Sequence, residues 1–205
     1  LFGMAGTNKA TIEVSSIPPV DFGSRLKYLL SYPHGCLEQI SSTAFPQLFL
    51  ENVMELNENT KAAIENNVKA AISKLSTYIN ADGGFVYWPG HTEANDWGTS
   101  YAGHFFIEAE KKGYGLPINF KNKWVNYQNR QANNWTAANN ESYKQLNQAY
   151  RLYTLALAQQ PNKSAMNRMR NMGSLSSVAR WRLAAAYALI GQKEVAAELI
   201  ENQSV

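Results

Sequence analysis

The feature that most constrains this 205-residue chain is a helical rhythm that runs from Asp21 almost to its end and is broken only by short turns. Thr60 to Ile79 is the plainest stretch. Ala63, Ile64, Val68, Ala71, Ile72, Leu75 and Ile79 fall on one stripe at spacings of three and four, and Asn80-Ala81-Asp82-Gly83-Gly84 closes it. The same pattern predicts helices over Trp97–Lys112, ended by Gly113, and then over Asn119–Gln131, Glu141–Gln159, Ser164–Met172, Leu175–Ile190 and Lys193–Asn202. Nearer the start, Asp21 caps a helix carrying Leu26, Leu29 and Leu30, and a further helix spans about Cys36 to Leu56, where Pro46 must kink or divide it. About nine helices on short loops suit an array of helix pairs better than a four-helix bundle. Trp181 to Gln192 has the look of a repeat hairpin, yet no steady period of about 34 residues emerges. The expected fold is therefore all-α, an α/α toroid of helical hairpins whose ring this chain need not complete.

Residues 1–20 differ from the rest. Ala10 to Val14 alternate and favour a strand, and Ser15-Ser16-Ile17-Pro18-Pro19 ends it, so 1–20 reads as a strand and linker from a preceding domain and 21–205 as the helical domain, cut short. The opening Leu-Phe-Gly-Met-Ala-Gly has neither the charged nor the apolar part of an export signal and reads as a piece of a longer polypeptide. With 45% hydrophobic and 17% charged residues the chain can bury a core, and apolar runs such as Ala184–Ile190 are too short for direct membrane insertion. A net charge of +3, with its lysines and arginines dispersed, gives no footprint for nucleic acid. One cysteine excludes an internal disulfide and any zinc site built on several thiolates.

That cysteine lies in Tyr32-Pro33-His34-Gly35-Cys36-Leu37-Glu38-Gln39. Residues three apart on a helix face one another at about 5–6 Å between Cβ atoms, so the Cys36 sulfur can reach the side-chain carbonyl carbon of Gln39. Loss of ammonia would close an internal thioester, with Gln39 the electrophile and Cys36 the leaving group, its thiolate favoured by the positive end of a helix.

This stretch resembles the thioester domain of the bacterial α2-macroglobulin family, relatives of α2-macroglobulin and complement C3. The family motif Pro-x-Gly-Cys-x-Glu-Gln is met by Pro33, Gly35, Cys36, Glu38 and Gln39, and Leu37 stands where bacterial members commonly carry leucine. Similar stretches lie at Arg25 to Leu29, at Phe45 to Leu48, at Asp82 to Trp88, at Trp97 to Ala102 and at Ala149 to Tyr153. The resemblance implies an α/α toroid inside a protease-trapping inhibitor of the periplasm, cell envelope or exterior. A protease would cut a bait elsewhere in the parent, and one of its lysine amines would attack the Gln39 acyl group. It implies no cofactor, no metal and no turnover, and it makes other macroglobulin domains of the parent chain partners alongside proteases. Some complement relatives use a histidine farther along to redirect the reaction to hydroxyls; the last histidine here is His104, which favours amine targets.

The individual residues also have plainer readings. An isolated Cys-x-x-Gln is ordinarily core packing, and the fuller motif reverses that. Glu38 either shapes the turn or is an acid in a first helical turn. Pro33 supplies rigidity and Gly35 a backbone conformation. His34 invites a Cys–His nucleophile reading, although a histidine two residues from a cysteine in a turn often points elsewhere. Tyr87, Trp88, Trp97 and Tyr101 could shield the site or bind a ligand, but aromatic residues at a helix-pair turn read first as core. Triplets such as Asn162-Lys163-Ser164 match a glycosylation acceptor by chance in an asparagine-rich chain. Two other functions compete: a non-reactive helical-repeat protein-binding module, and a toroid enzyme, for which Asp82, Glu93 and Asp96 offer only isolated acids.

Overall fold

The computed structural model describes residues 27–136 and 142–201. The strand and linker expected over 1–20, and the Asp21 cap, lie outside the described residues. A 3-10 turn, Lys27–Leu29, leads to α1 (Leu37–Ala44), a 3-10 helix (Pro46–Asn52), α2 (Glu58–Ser76), α3 (Asp96–Lys111), α4 (Phe120–Asn134), α5 (Ser142–Leu157), α6 (Lys163–Arg170), α7 (Ser177–Leu189) and α8 (Lys193–Ile200). α1 packs on α3, α3 on α5 and α5 on α7, which makes an inner row. α2 lies on α1, α4 and α6 on α5, and α8 on α7. Inner and outer helices thus alternate along the chain as in an α/α toroid.

Local chemistry explains the helix ends. Asn57, Asn95 and Asn162 accept from the backbone N–H three residues on, at 2.9, 2.7 and 3.0 Å, and so cap α2, α3 and α6. Part of the asparagine richness is therefore capping. Asn162 also donates through Nδ2 to Asn129 Oδ1 and Asn133 Oδ1, each at 2.9 Å, tying the start of α6 to α4. Pro46 divides the helix expected over 36–56. The α-helix stops at Ala44, and the chain continues as a 3-10 helix because the proline ring offers no N–H and crowds the preceding turn.

The inner helices meet over a continuous apolar core that includes Leu37, Ile40, Leu75, Phe85, Phe105, Phe106, Trp124, Leu152 and Leu155. A charged side chain is buried beside it. Arg151 is 2% exposed, and its guanidinium donates to Gln128 Oε1, Gln148 Oε1 and Asp96 Oδ1, while Gln128 Nε2 donates to Ser100 Oγ. Every arm of the fork is used, so a charge that would be costly if unpaired instead clamps α3, α4 and α5 together. No described helix is long and apolar enough to cross a membrane.

His104 of α3 is enclosed by Phe45, Tyr150 and Tyr153, with Tyr150 Oη 3.0 Å from its Nδ1. Burial pushes its imidazole down to about 4, against a smaller upward pull from Glu108 and further downward pushes from Arg182 and Lys111. The unfolded chain, with histidine near 6.5, then binds this proton first, so the stability tied to neutral His104 is lost as pH falls from 6.5 towards 4. The expected loss is on the order of 2–3 kcal/mol. Denaturant titrations of wild type and His104→Gln at several pH values across that window should show a flatter acid limb in the variant.

Candidate functional site: the Cys36–Gln39 turn

The motif expected to carry chemistry sits at the N-terminus of α1, in a turn held from three sides. Cys36 is the N-cap, with extended backbone at φ −75° and ψ 173°, and Gln39 is the third helical residue. The Gln39 side chain folds back so that its Oε1 accepts from the Cys36 N–H at 3.0 Å. This bond satisfies one of the donors that a helix start leaves free, and it brings the Gln39 carboxamide onto the residue that bears the thiol. Cys36 is 5% exposed and Leu37 1%; Glu38 and Gln39 are exposed.

Gly35 makes that approach possible. Its φ is +102°, a region L side chains rarely adopt, and a Cβ there would lie 2.0 Å from Gln39 Oε1 and 2.9 Å from Cδ. The neighbouring turn is fixed by α2 and the segment that follows it. Tyr78 Oη donates to the Gly35 carbonyl at 2.7 Å, Lys74 Nζ donates to the Pro33 carbonyl at 2.9 Å, and the same ammonium lies 4.4 Å from the centre of the Tyr32 ring. Burial raises the Tyr78 phenol, with a second contribution from the nearby Cys36. Pro33 is buried and His34 is exposed. Among the described residues no hydrogen bond joins the His34 ring to Cys36, and the structure does not assemble the Cys–His pair.

The third support is the loop between α2 and α3. It is anchored by Val86 N–H to Tyr78 O at 2.8 Å, Asn95 N–H to Phe85 O at 2.7 Å, and Phe85 N–H to Thr99 Oγ1 at 2.9 Å. From this frame the Tyr87 carbonyl accepts the Leu37 N–H at 3.2 Å, and the Tyr87 hydroxyl donates to Glu38 Oε2 at 3.3 Å. The neighbouring Cys36 thiol, with a smaller contribution from Glu38, raises the Tyr87 phenol to about 12. α3 closes the base of the turn, where Gly98 lies so near α1 that a Cβ would be 2.5 Å from Leu37 Cδ2.

The aromatic residues depart from the core reading. Tyr87, Trp88 and Trp97 are 37, 45 and 36% exposed. Trp97 stacks on Tyr101 at 4.6 Å, and Tyr101 Oη accepts from Ser42 Oγ at 3.4 Å, one turn along α1 from Glu38. Tyr87, Trp88 and Trp97 thus lie at the surface instead of filling the interior. Tyr78 and Lys74, which hold the turn, were not singled out from the sequence; they lie 43 and 41 residues from the carbonyls they bind.

Comparison with known proteins places this turn in a family. The family model for the A-macroglobulin TED domain matches residues 11–115, and so includes the whole motif. The chain belongs to the A-macroglobulin TED family. It is 28% identical over 129 residues to alpha-2-macroglobulin of Escherichia coli K12, covering 59% of this chain, and 31% identical over 152 residues to that of Rickettsia conorii, covering 72%. In each case it spans 8% of the relative's length. The crystal structure of Salmonella alpha-2-macroglobulin reacted with methylamine superposes with a TM-score of 0.75 at 24% identity, over 90% of this chain and 13% of that one. The toroid expected from the sequence is thus the fold of this TED domain.

Two substitutions separate the supports. Tyr78→Phe leaves the Gly35 carbonyl without its donor and should cost about 1 kcal/mol in denaturant unfolding, with the turn otherwise intact. Gly35→Ala should cost roughly 1–2 kcal/mol through its backbone angle alone. Its methyl would also drive the mobile Gln39 side chain off Cys36, seen in NMR as loss of protection of the Cys36 amide.

Proposed function

We propose that this chain is the thioester-bearing part of a protease-trapping alpha-2-macroglobulin, in which a Cys36–Gln39 thioester acylates a lysine amine of an attacking protease. The observation that carries this is the Cys36 N–H bond to Gln39 Oε1, made possible by a glycine whose missing Cβ leaves room for it. An acyl carbon held there lies at the positive end of α1, where a backbone N–H already points at its oxygen. An unprotonated amine adds to Gln39 Cδ and the carbonyl electron pair moves to Oε1, stabilised by the Cys36 N–H. Collapse breaks the carbon–sulfur bond, the pair leaves on Sγ, and the amine nitrogen gives up its proton to solvent. The products are an amide to the protease and a free Cys36 thiol.

Membership of the family and the similarity to a structure reacted with methylamine support the reading. The exposure of Glu38 and Gln39 accords with a bond that other macroglobulin domains of a longer parent would shelter until a bait is cut. Residues 1–20 would then belong to a preceding domain and 21–205 to the thioester domain, in a protein of the periplasm or cell envelope. Each molecule reacts once, so the activity is inhibition without turnover.

Intact mass of the full-length parent tests this. The protein should be one ammonia lighter than its sequence. Methylamine should leave it one methylene heavier than its sequence, with one new titratable thiol, and trypsin should become covalently attached unless its lysines are first methylated. Cys36→Ala should abolish all three. Protease capture that survives Cys36→Ala would reduce the domain to a non-reactive helical binding module. The isolated domain, without shelter, should carry little intact thioester.

A further inference from the structure

We propose that Glu38 is a catalytic residue of this site: its carboxylate receives the attacking amine, holds the positive charge that the nitrogen gains on bonding to Gln39 Cδ, and takes its proton. This rests on the thioester reading above. Amine attack creates two charges at once. The negative one, on the Gln39 oxygen, meets the Cys36 N–H. The positive one, on the nitrogen, calls for an acceptor on the side from which the amine arrives. Cys36 and Leu37 are buried, while Glu38 and Gln39 are exposed. The solvent side of the turn is therefore formed by the reacting residue and the glutamate next to it.

Glu38 is held in place without being neutralised. Glu51, Glu58, Glu65 and Glu110 each pair with a lysine. Glu38 instead meets a neutral phenol, the Tyr87 hydroxyl, which donates to its Oε2 at 3.3 Å. Among the described residues no lysine or arginine pairs with Glu38, and none donates to its Oε1. A phenol positions a carboxylate and leaves its charge in force, whereas a lysine would cancel it. The Tyr87 carbonyl also accepts the Leu37 N–H at 3.2 Å, so one tyrosine is joined to two successive residues of α1, and Val86 beside it is bonded to Tyr78. Glu38 lies in the first turn of α1, where the positive helix end favours the ionised form. One carboxylate oxygen is thus fixed and the other is left for an incoming N–H.

The amine lone pair forms the carbon–nitrogen bond, and an N–H of the now positive nitrogen donates to Glu38 Oε1. As the carbon–sulfur bond breaks and its pair leaves on Sγ, that proton passes to the carboxylate, which returns it through solvent to the Cys36 thiolate. Glu38 ends the step as it began. A thiolate nucleophile has no proton to give and carries a charge of the same sign as Glu38. The residue therefore selects amines.

The test uses the full-length parent and two nucleophiles, methylamine and 2-mercaptoethanesulfonate, with conversion of the ammonia-light species followed by intact mass at timed intervals. In Glu38→Gln the ratio of the methylamine rate to the thiolate rate should fall about tenfold or more, with the thiolate rate held or raised. A ratio that does not fall would overturn the proposal, even if both rates drop together, because a merely structural role moves both alike. Tyr87→Phe frees the carboxylate but keeps its charge, and the ratio should fall by a smaller factor. Should Glu38→Gln fail to form the bond, Tyr87→Phe carries the test, and an unchanged ratio there would count equally against the idea. A wild-type parent with no ammonia-light species would instead remove the thioester reading itself.

Discussion

The backbone N–H of Cys36 is the donor around which this molecule is organised. A helix start leaves its first amides unpaired, and here one of them is filled by a side chain from the helix's own third residue. That choice forces the rest. Gln39 must turn back over residue 35, so residue 35 must lack a Cβ and take a positive φ. A turn so constrained has little stability of its own; α2 stiffens it through Lys74, and the α2–α3 segment stiffens it through Tyr78 and Tyr87.

The toroid supplies the rigidity behind those contacts. α1 rests between α2 and α3, and α3 is in turn fixed by the Arg151 guanidinium to α4 and α5. A buried charge bonded through each of its three nitrogens tolerates little displacement, since a shift would leave part of it unpaired. Fine positioning at the edge of the ring, including the close contact of Gly98 with Leu37, is therefore underwritten by a polar network deep within it.

Much of this was legible in the sequence because it is local. Apolar spacing located the helices to within a few residues, the turn residues separated them, and the three-residue interval from Cys36 to Gln39 anticipated their approach. What escaped was long-range. Nothing near Tyr78 or Lys74 marks them as ligands of carbonyls some forty residues away. Arg151 sits in a helical stripe where an arginine is ordinarily a surface residue, and only the convergence of Gln128, Gln148 and Asp96 makes its burial tolerable. The aromatic residues misled in the opposite direction: Tyr87 and Trp88 on the loop and Trp97 in the first turn of α3 look like core by composition, yet all three are exposed.

Asn162 shows how a capping role closes off other fates for a side chain. Its Oδ1 holds the first turn of α6 and its Nδ2 is shared between Asn129 and Asn133. A sugar could attach only through that same nitrogen and would have to displace both partners. For Asn162-Lys163-Ser164, folding and sugar attachment are therefore in direct competition, and once α6 has docked on α4 the nitrogen is no longer free to react.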